Sequence, residues 1–251
     1  HAHLTFDDLK DDIDAVLARS IEAGVTSWIT VGTEPGKLKP VLDIAENHQN
    51  LYAALGYHPH DAAKVTPGHL QTLRGLCRSK KVVALGETGL DFFYEHSPKN
   101  IQKDIFRSHL EIAEDLSLPV IVHTRNAFDE SMQILDEFQG RLKDVVIHCF
   151  SGTEDQTRYV LDKGYYVSFT GIVTFKKAEE TRKAAQLVPL DRLMLETDCP
   201  FISPEPVRNQ RPCEPALMIH TAGKIAEIKQ IPFEDFAQKV TATSRKFFSI
   251  D

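Results

Sequence analysis

Seven short runs of apolar and β-branched residues punctuate the chain: VTSWITVG at 25–32, LYAALGYH at 51–58, VVALGETGLD at 82–91, PVIVHTR at 119–125, DVVIHCFSG at 144–152, YYVSFTG at 165–171 and LMLETD at 193–198. Runs of this length and composition predict buried strands. Between them, FDDLKDDIDAVLARSIEAG (6–24), NIQKDIFRSHLEIAEDLSL (100–118) and EDQTRYVLDKG (154–164) carry apolar residues at helical spacing with charges between. The first and last of these end on a glycine suited to a helix C-cap. Residues 214–230 and 234–248 read as two closing helices.

Apolar strands alternating with amphipathic helices imply a parallel sheet covered on both faces. Two features favour closure into a barrel over an open, doubly wound sheet. The first helix starts near Phe6, so the residues before it complete an eighth strand, and polar chemistry recurs at the carboxyl ends of many strands instead of at one switch point. The expectation is an α/β, TIM-like (β/α)8 barrel forming a single domain over 1–251. Its first strand is expected to be truncated, because the chain starts at His1 without a methionine.

A length of 251 residues suits one barrel domain. Hydrophobic residues at 42% and charged residues at 26% are ordinary for a globular protein, and no apolar run approaches the roughly 18 residues of a membrane span. No membrane association is expected. Cys77, Cys149, Cys199 and Cys213 show no metal or redox spacing, and no secretory pattern opens the chain, so a reducing cytoplasm is expected. The net charge of -7 gives no support to a broad basic surface, and it leaves room for a local cationic focus built on bound metal.

Candidate chemistry collects at the predicted strand ends. His1 and His3 follow the inferred first strand, His58 and His60 lie in GYHPH, and Glu87 lies in GETGLD. His123, His148 and Asp198 close three further runs. Taken singly, each has a plain structural explanation: a strand-end histidine packs and hydrogen-bonds, and an aspartate before Cys199-Pro200 caps a helix. In a barrel, however, all these ends meet at one rim, giving the mixed imidazole and carboxylate shell suited to zinc, manganese or a similar divalent ion. That shell explains why the apolar run 193–195 ends on Glu196 and Asp198, since buried carboxylates need a counter-charge. Strand alternation puts both on one side, with Glu196 orienting a ligand or a substrate group. His48, His69, His96, His109 and His220 fall in predicted helices or loops and are read as surface residues. Cys149 and Cys199 are read as packing residues.

HAHL, GYHPH, ALGETGLDFFY, VIVHTR, HCFSG, GIVTFK and ETDCPF, in this order and over the whole chain, resemble the TatD family of metal-dependent hydrolases. The resemblance implies a barrel of the amidohydrolase superfamily with two divalent ions (Zn, Mg, Mn or similar) and no organic cofactor. It also implies nuclease activity, often 3′-to-5′ on single-stranded DNA. His1, His3, Glu87 and Asp198 would then hold one ion and Glu87, His123 and His148 the other, with Glu87 bridging. Glu87 and Asp198 become the catalytic pair: the ions lower the pKa of a water, Asp198 takes its proton, and the hydroxide attacks phosphorus. His58, His60 and Arg125 become candidates for holding phosphate, Arg125 in a bidentate contact.

Two departures from the family pattern stand out. The short apolar strand that normally precedes H-x-H is absent, and in VRNQRPCEP Cys213 takes the place of a family asparagine, leaving Arg208 and Arg211 for substrate. The same metal water would also serve a carboxylic ester or amide, including a mischarged aminoacyl-tRNA, which is the alternative activity. The native metal and the oligomeric state are not encoded in any motif.

Overall fold

The computed structural model describes residues 1–250. Its regular elements run α1 (Ile13–Glu22), β1 (Trp28–Gly32), α2 (Leu38–Asn47), β2 (Leu51–Leu55), α3 (Pro67–Leu76), β3 (Val82–Asp91), α4 (Lys99–Leu116), β4 (Val120–Arg125) and α5 (Phe128–Asp136). They continue as β5 (Val145–Ile147), α6 (Glu154–Asp162), β6 (Tyr166–Phe169), α7 (Glu179–Leu187), β7 (Leu193–Leu195), α8 (Met218–Lys229) and α9 (Phe233–Phe248). Strand and helix alternate as the hydrophobic pattern requires. The chain gathers into two compact units, residues 29–148 and residues 1–28 with 149–251.

In the unit of residues 29–148, β1 to β5 neighbour one another in chain order, with β2, β3, β4 and β5 paired in parallel. All ten residues of β3 are buried, as expected of a parallel strand with both faces covered. Gly89 on β3 has φ +138, and a β-carbon there would overlap the carbonyl oxygen of His123 on β4. Only glycine allows the two backbones to come this close. Helix α4 packs against β3 and buries Phe106, His109, Leu110 and Ala113, a stripe at helical spacing. Fully burying each of its large apolar side chains contributes about 1.5–3 kcal/mol.

In the unit of residues 1–28 and 149–251, β6 and β7 pair in parallel. The expected eighth strand is reduced here to one parallel bridge, Ala2 with Cys199. Around it His3 N–H donates to the Cys199 carbonyl at 2.8 Å and Asp198 N–H donates to that of His1 at 3.2 Å. Helix α1 is tied by Arg19, whose Nε lies 2.8 Å from a Glu214 oxygen, and Trp28 donates from Nε1 to Ser20 Oγ at 2.8 Å. Helices α8 and α9 correspond to the predicted closing pair. Phe236, Val240 and Phe247 are buried on α9, which packs against β7.

Several strands are shorter than their apolar runs. The run 144–152 yields β5 over three residues and 193–198 yields β7 over three. The physical reason lies in Cys149 and Asp198, whose φ values of 48 and 55 are left-handed and incompatible with a continuing strand. No helix among the described residues is long and apolar enough to cross a membrane.

Candidate metal centre

Within residues 29–148, Glu87 stands near the carboxyl end of β3 with three imidazoles around it. Its Oε1 lies 2.8 Å from His123 Nδ1, 3.4 Å from His148 Nε2 and 3.5 Å from His58 Nε2. Burial pushes the Glu87 pKa up, but the fields of His148, His58 and His123 together outweigh it and hold the carboxyl well below its ordinary range. Neutral imidazole nitrogen and carboxylate oxygen are both ligands for borderline divalent ions, and a cation bound in place of the imidazole protons would keep the Glu87 carboxylate ionised in the same way. One donor atom each from His58, Glu87 and His123 lies within 4.8 Å of the others.

Behind these donors sits Asp91, the last residue of β3. Its Oδ2 is 2.9 Å from His60 Nε2 and 3.2 Å from His123 Nε2, while Oδ1 accepts from the backbone N–H groups of Phe93 at 2.9 Å and Tyr94 at 3.0 Å. Burial opposes ionisation of Asp91, but hydrogen bonds from His123, Tyr94 N–H and His60 prevail and drive its pKa far down. With Nε2 of His123 engaged by Asp91, Nδ1 is the nitrogen turned to Glu87, which fixes the ring. In His123 itself, burial lowers the pKa, while Asp91 and Glu87 raise it by a larger amount.

His109 supports this group from α4. Its Nδ1–H donates to the Ile105 carbonyl at 2.7 Å, and its Nε2 accepts from Tyr57 N–H at 2.9 Å, immediately before His58. Complete burial depresses its pKa to about 4, with the Ile105 hydrogen bond only partly compensating. The surface assignment of His109 is therefore corrected: it is a buried, neutral residue that anchors the GYHPH loop.

Within residues 1–28 and 149–251, a second group forms. His3 Nε2 is 3.3 Å and His1 Nε2 3.7 Å from Asp198 Oδ1, and the three residues offer donor atoms within 4.8 Å of one another. His1 Nδ1 faces Glu196 Oε2 at 3.5 Å. Glu196 is held in turn through Oε1, which accepts from Cys149 N–H at 2.7 Å and Ser168 Oγ–H at 2.8 Å. Glu196 and Asp198 thus address the same histidine, although β7 ends at Leu195 and the left-handed Asp198 produces this result in place of strand alternation. Left-handed non-glycine residues concentrate at functional sites, where the surrounding structure supports their strain. Both donor groups fit borderline divalent ions by their mix of imidazole nitrogen and carboxylate oxygen.

Of the residues read as phosphate ligands, His58 sits among the metal-type donors, His60 beside Asp91, and Arg125 is exposed at the end of β4. No motif marks Asp91 as a partner of the histidines, and none marks the buried role of His109. The signal for His109 was present in its place on the apolar stripe of α4, between Phe106 and Ala113.

A family model described as TatD related DNase matches residues 1–249. Among curated relatives, the metal-dependent hydrolase YabD of Bacillus subtilis is 36% identical over 251 residues, covering 100% of this chain and 98% of YabD. The 3′-5′ ssDNA/RNA exonuclease TatD of Erwinia tasmaniensis is 33% identical, covering 99% and 98%. The crystal structure of YJJV, a TatD homologue of Escherichia coli K12, superposes with a TM-score of 0.94 at 32% identity, covering 100% of this chain and 97% of that one. A likeness of that extent gives the fold class, an α/β TIM-like (β/α)8 barrel.

Proposed function

The chain belongs to the TatD related DNase family of metal-dependent hydrolases, and from that premise we propose that it is a phosphodiesterase shortening single-stranded DNA from the 3′ end with two divalent ions. The observation that carries this reading is the buried Glu87 carboxylate, whose Oε1 has nitrogens of His123, His148 and His58 at 2.8, 3.4 and 3.5 Å. The second donor group, His1, His3 and Asp198, supports a second ion. In this reading Glu87, His123 and His148 hold one ion with His58 beside them, and His1, His3 and Asp198 hold the other.

Bound divalent ions supply a lowered water pKa and neutralise charge on phosphoryl oxygens. Asp198 accepts the proton of the attacking water. Glu196, fixed by Ser168 and Cys149, keeps His1 oriented, and Asp91 does the same for His123. His60 and Arg125 hold the phosphate, with the guanidinium as a bidentate donor. The printed name of the Erwinia relative supports the strand type and polarity. Four free thiols support a cytoplasmic setting, and the match over 1–249 supports one functional domain across 1–251.

The test is a substrate panel on protein stripped by chelation and reloaded with single metals. Stepwise 3′ shortening of a single-stranded oligonucleotide, faster than of a blunt duplex and negligible on a closed circle, is expected. Efficient cutting of closed circles would make it an endonuclease. Turnover of an aminoacyl-tRNA without cleavage of any nucleic acid would move the assignment to ester hydrolysis.

A further inference from the structure

We infer that Phe93, Tyr94 and His96 form a platform on which the bases of a single strand stack beside the Glu87 donor group, while the adjacent Arg125 holds the phosphate. Resting on the nuclease reading above, the platform specifies which residues would contact base instead of phosphate.

Phe93 and Tyr94 are consecutive, large, apolar and yet 52% and 51% exposed. Their rings stand perpendicular, with centroids 4.8 Å apart at 87°. His96 lies parallel to Tyr94 at 5.5 Å and 7°. Neighbouring aromatic rings left in solvent mark an interaction site, and the charges around these rings indicate the occupant. The Arg125 guanidinium lies 4.1 Å from the Phe93 ring centre and 4.7 Å from that of Tyr94. Lys99 and Lys103 approach the adjacent Phe92 ring at 4.7 and 5.7 Å. Glu95, between Tyr94 and His96, is partnered by Lys99 at 2.9 Å. Aromatic faces interleaved with cations suit a chain that alternates π-faces and anions, which a single-stranded nucleic acid provides. An apolar protein partner would instead have to desolvate these cations.

The platform is also fixed to the donor group. Asp91 Oδ1 accepts from the N–H groups of Phe93 and Tyr94, while Oδ2 faces His60 and His123. One carboxylate therefore sets the rings and the histidines together. Tyr94 lies 5.5 Å from the His60 ring, which in turn lies 4.2 Å from that of His58. Tyr94 is thus linked to the donor group through a single intervening ring, that of His60. In a duplex the bases are already stacked and paired, so they cannot offer their faces to this platform. A single-strand preference follows without any basic surface.

The test compares a thymine oligonucleotide with an abasic strand of the same length. Binding of dye-labelled strands is followed by anisotropy on chelated protein, and KM is measured on metal-loaded protein. For the Phe93→Ala/Tyr94→Ala double variant, Kd and KM for the thymine strand should rise about tenfold, while those for the abasic strand stay unchanged. Tyr94→Leu, which keeps apolar bulk without a ring, should show part of the same loss, and Tyr94→Phe should behave as the parent protein. An equal loss on both strands, or no loss on the thymine strand, would overturn the platform while leaving the nuclease reading intact. A parent protein that neither binds nor cuts any nucleic acid would remove the nuclease reading, and the platform with it.

Discussion

Asp91 and His123 meet through Oδ2 and Nε2 at 3.2 Å, which leaves the other nitrogen of the same ring 2.8 Å from Glu87. The imidazole is thereby held between two carboxylates. Asp91→Asn keeps the size and one accepting oxygen but removes the charge behind the ring. Metal affinity and turnover should each fall about 10- to 100-fold, the usual effect of losing the partner of a ligand histidine. Metal titration followed by calorimetry checks this, and unchanged affinity would restrict Asp91 to capping the 93–94 turn.

Glu87 faces three imidazoles and is the carboxylate of the first proposed ion. Glu87→Ala should abolish turnover while leaving a folded protein, and bound metal should fall by about one ion's share. Elemental analysis beside far-ultraviolet circular dichroism reads both outcomes. Normal turnover would sink the assignment of Glu87 as a metal ligand.

Asp198 faces His1 and His3 and also serves as the proton acceptor in the proposed chemistry. Asp198→Asn keeps one coordinating oxygen but loses basicity. The expected result is a kcat at least about 10²-fold lower, with a smaller change in metal content. If activity tracks metal content alone, Asp198 is a ligand and not the base.

His109 makes stability depend on pH. Its folded pKa of about 4 lies below the ordinary 6.5, so the unfolded chain takes up this proton more readily than the folded one. The contribution is complete above pH 6.5 and is lost as pH falls from there through 4. Across that window it amounts to on the order of 3 kcal/mol. Urea unfolding at several pH values, compared between the parent protein and His109→Gln, should show a steeper acid loss in the parent.

Gly89 has no room for a side chain. Gly89→Ala would drive a β-carbon into the His123 carbonyl at a φ of +138, so both strain and displacement of His123 are expected. Destabilisation of more than about 2 kcal/mol by thermal or urea unfolding is predicted. A variant as stable as the parent would show that β3 and β4 can separate without cost.

The alternation of strands and helices was legible in the chain because burial on both faces demands continuous apolar runs, and β3 matches its run 82–91 from end to end. The metal-type donors were legible for the same reason: a histidine or carboxylate closing an apolar run is conspicuous. Where strands stop was not legible. A local pattern cannot register that Asp198 turns left-handed, because that conformation is held by contacts with residues 1–3, nearly two hundred positions away. Asp91 and His109 were hidden likewise. An aspartate at the end of GETGLD and a histidine inside an amphipathic helix carry no sign of their partners, since His60, His123 and Tyr57 come near only once β2, β3, β4 and α4 are packed. Sequence determined which side chains could bind metal. Which nitrogen each histidine turns inward was decided by tertiary structure, because a second hydrogen-bond partner fixes that choice and the partner arrives from a distant segment.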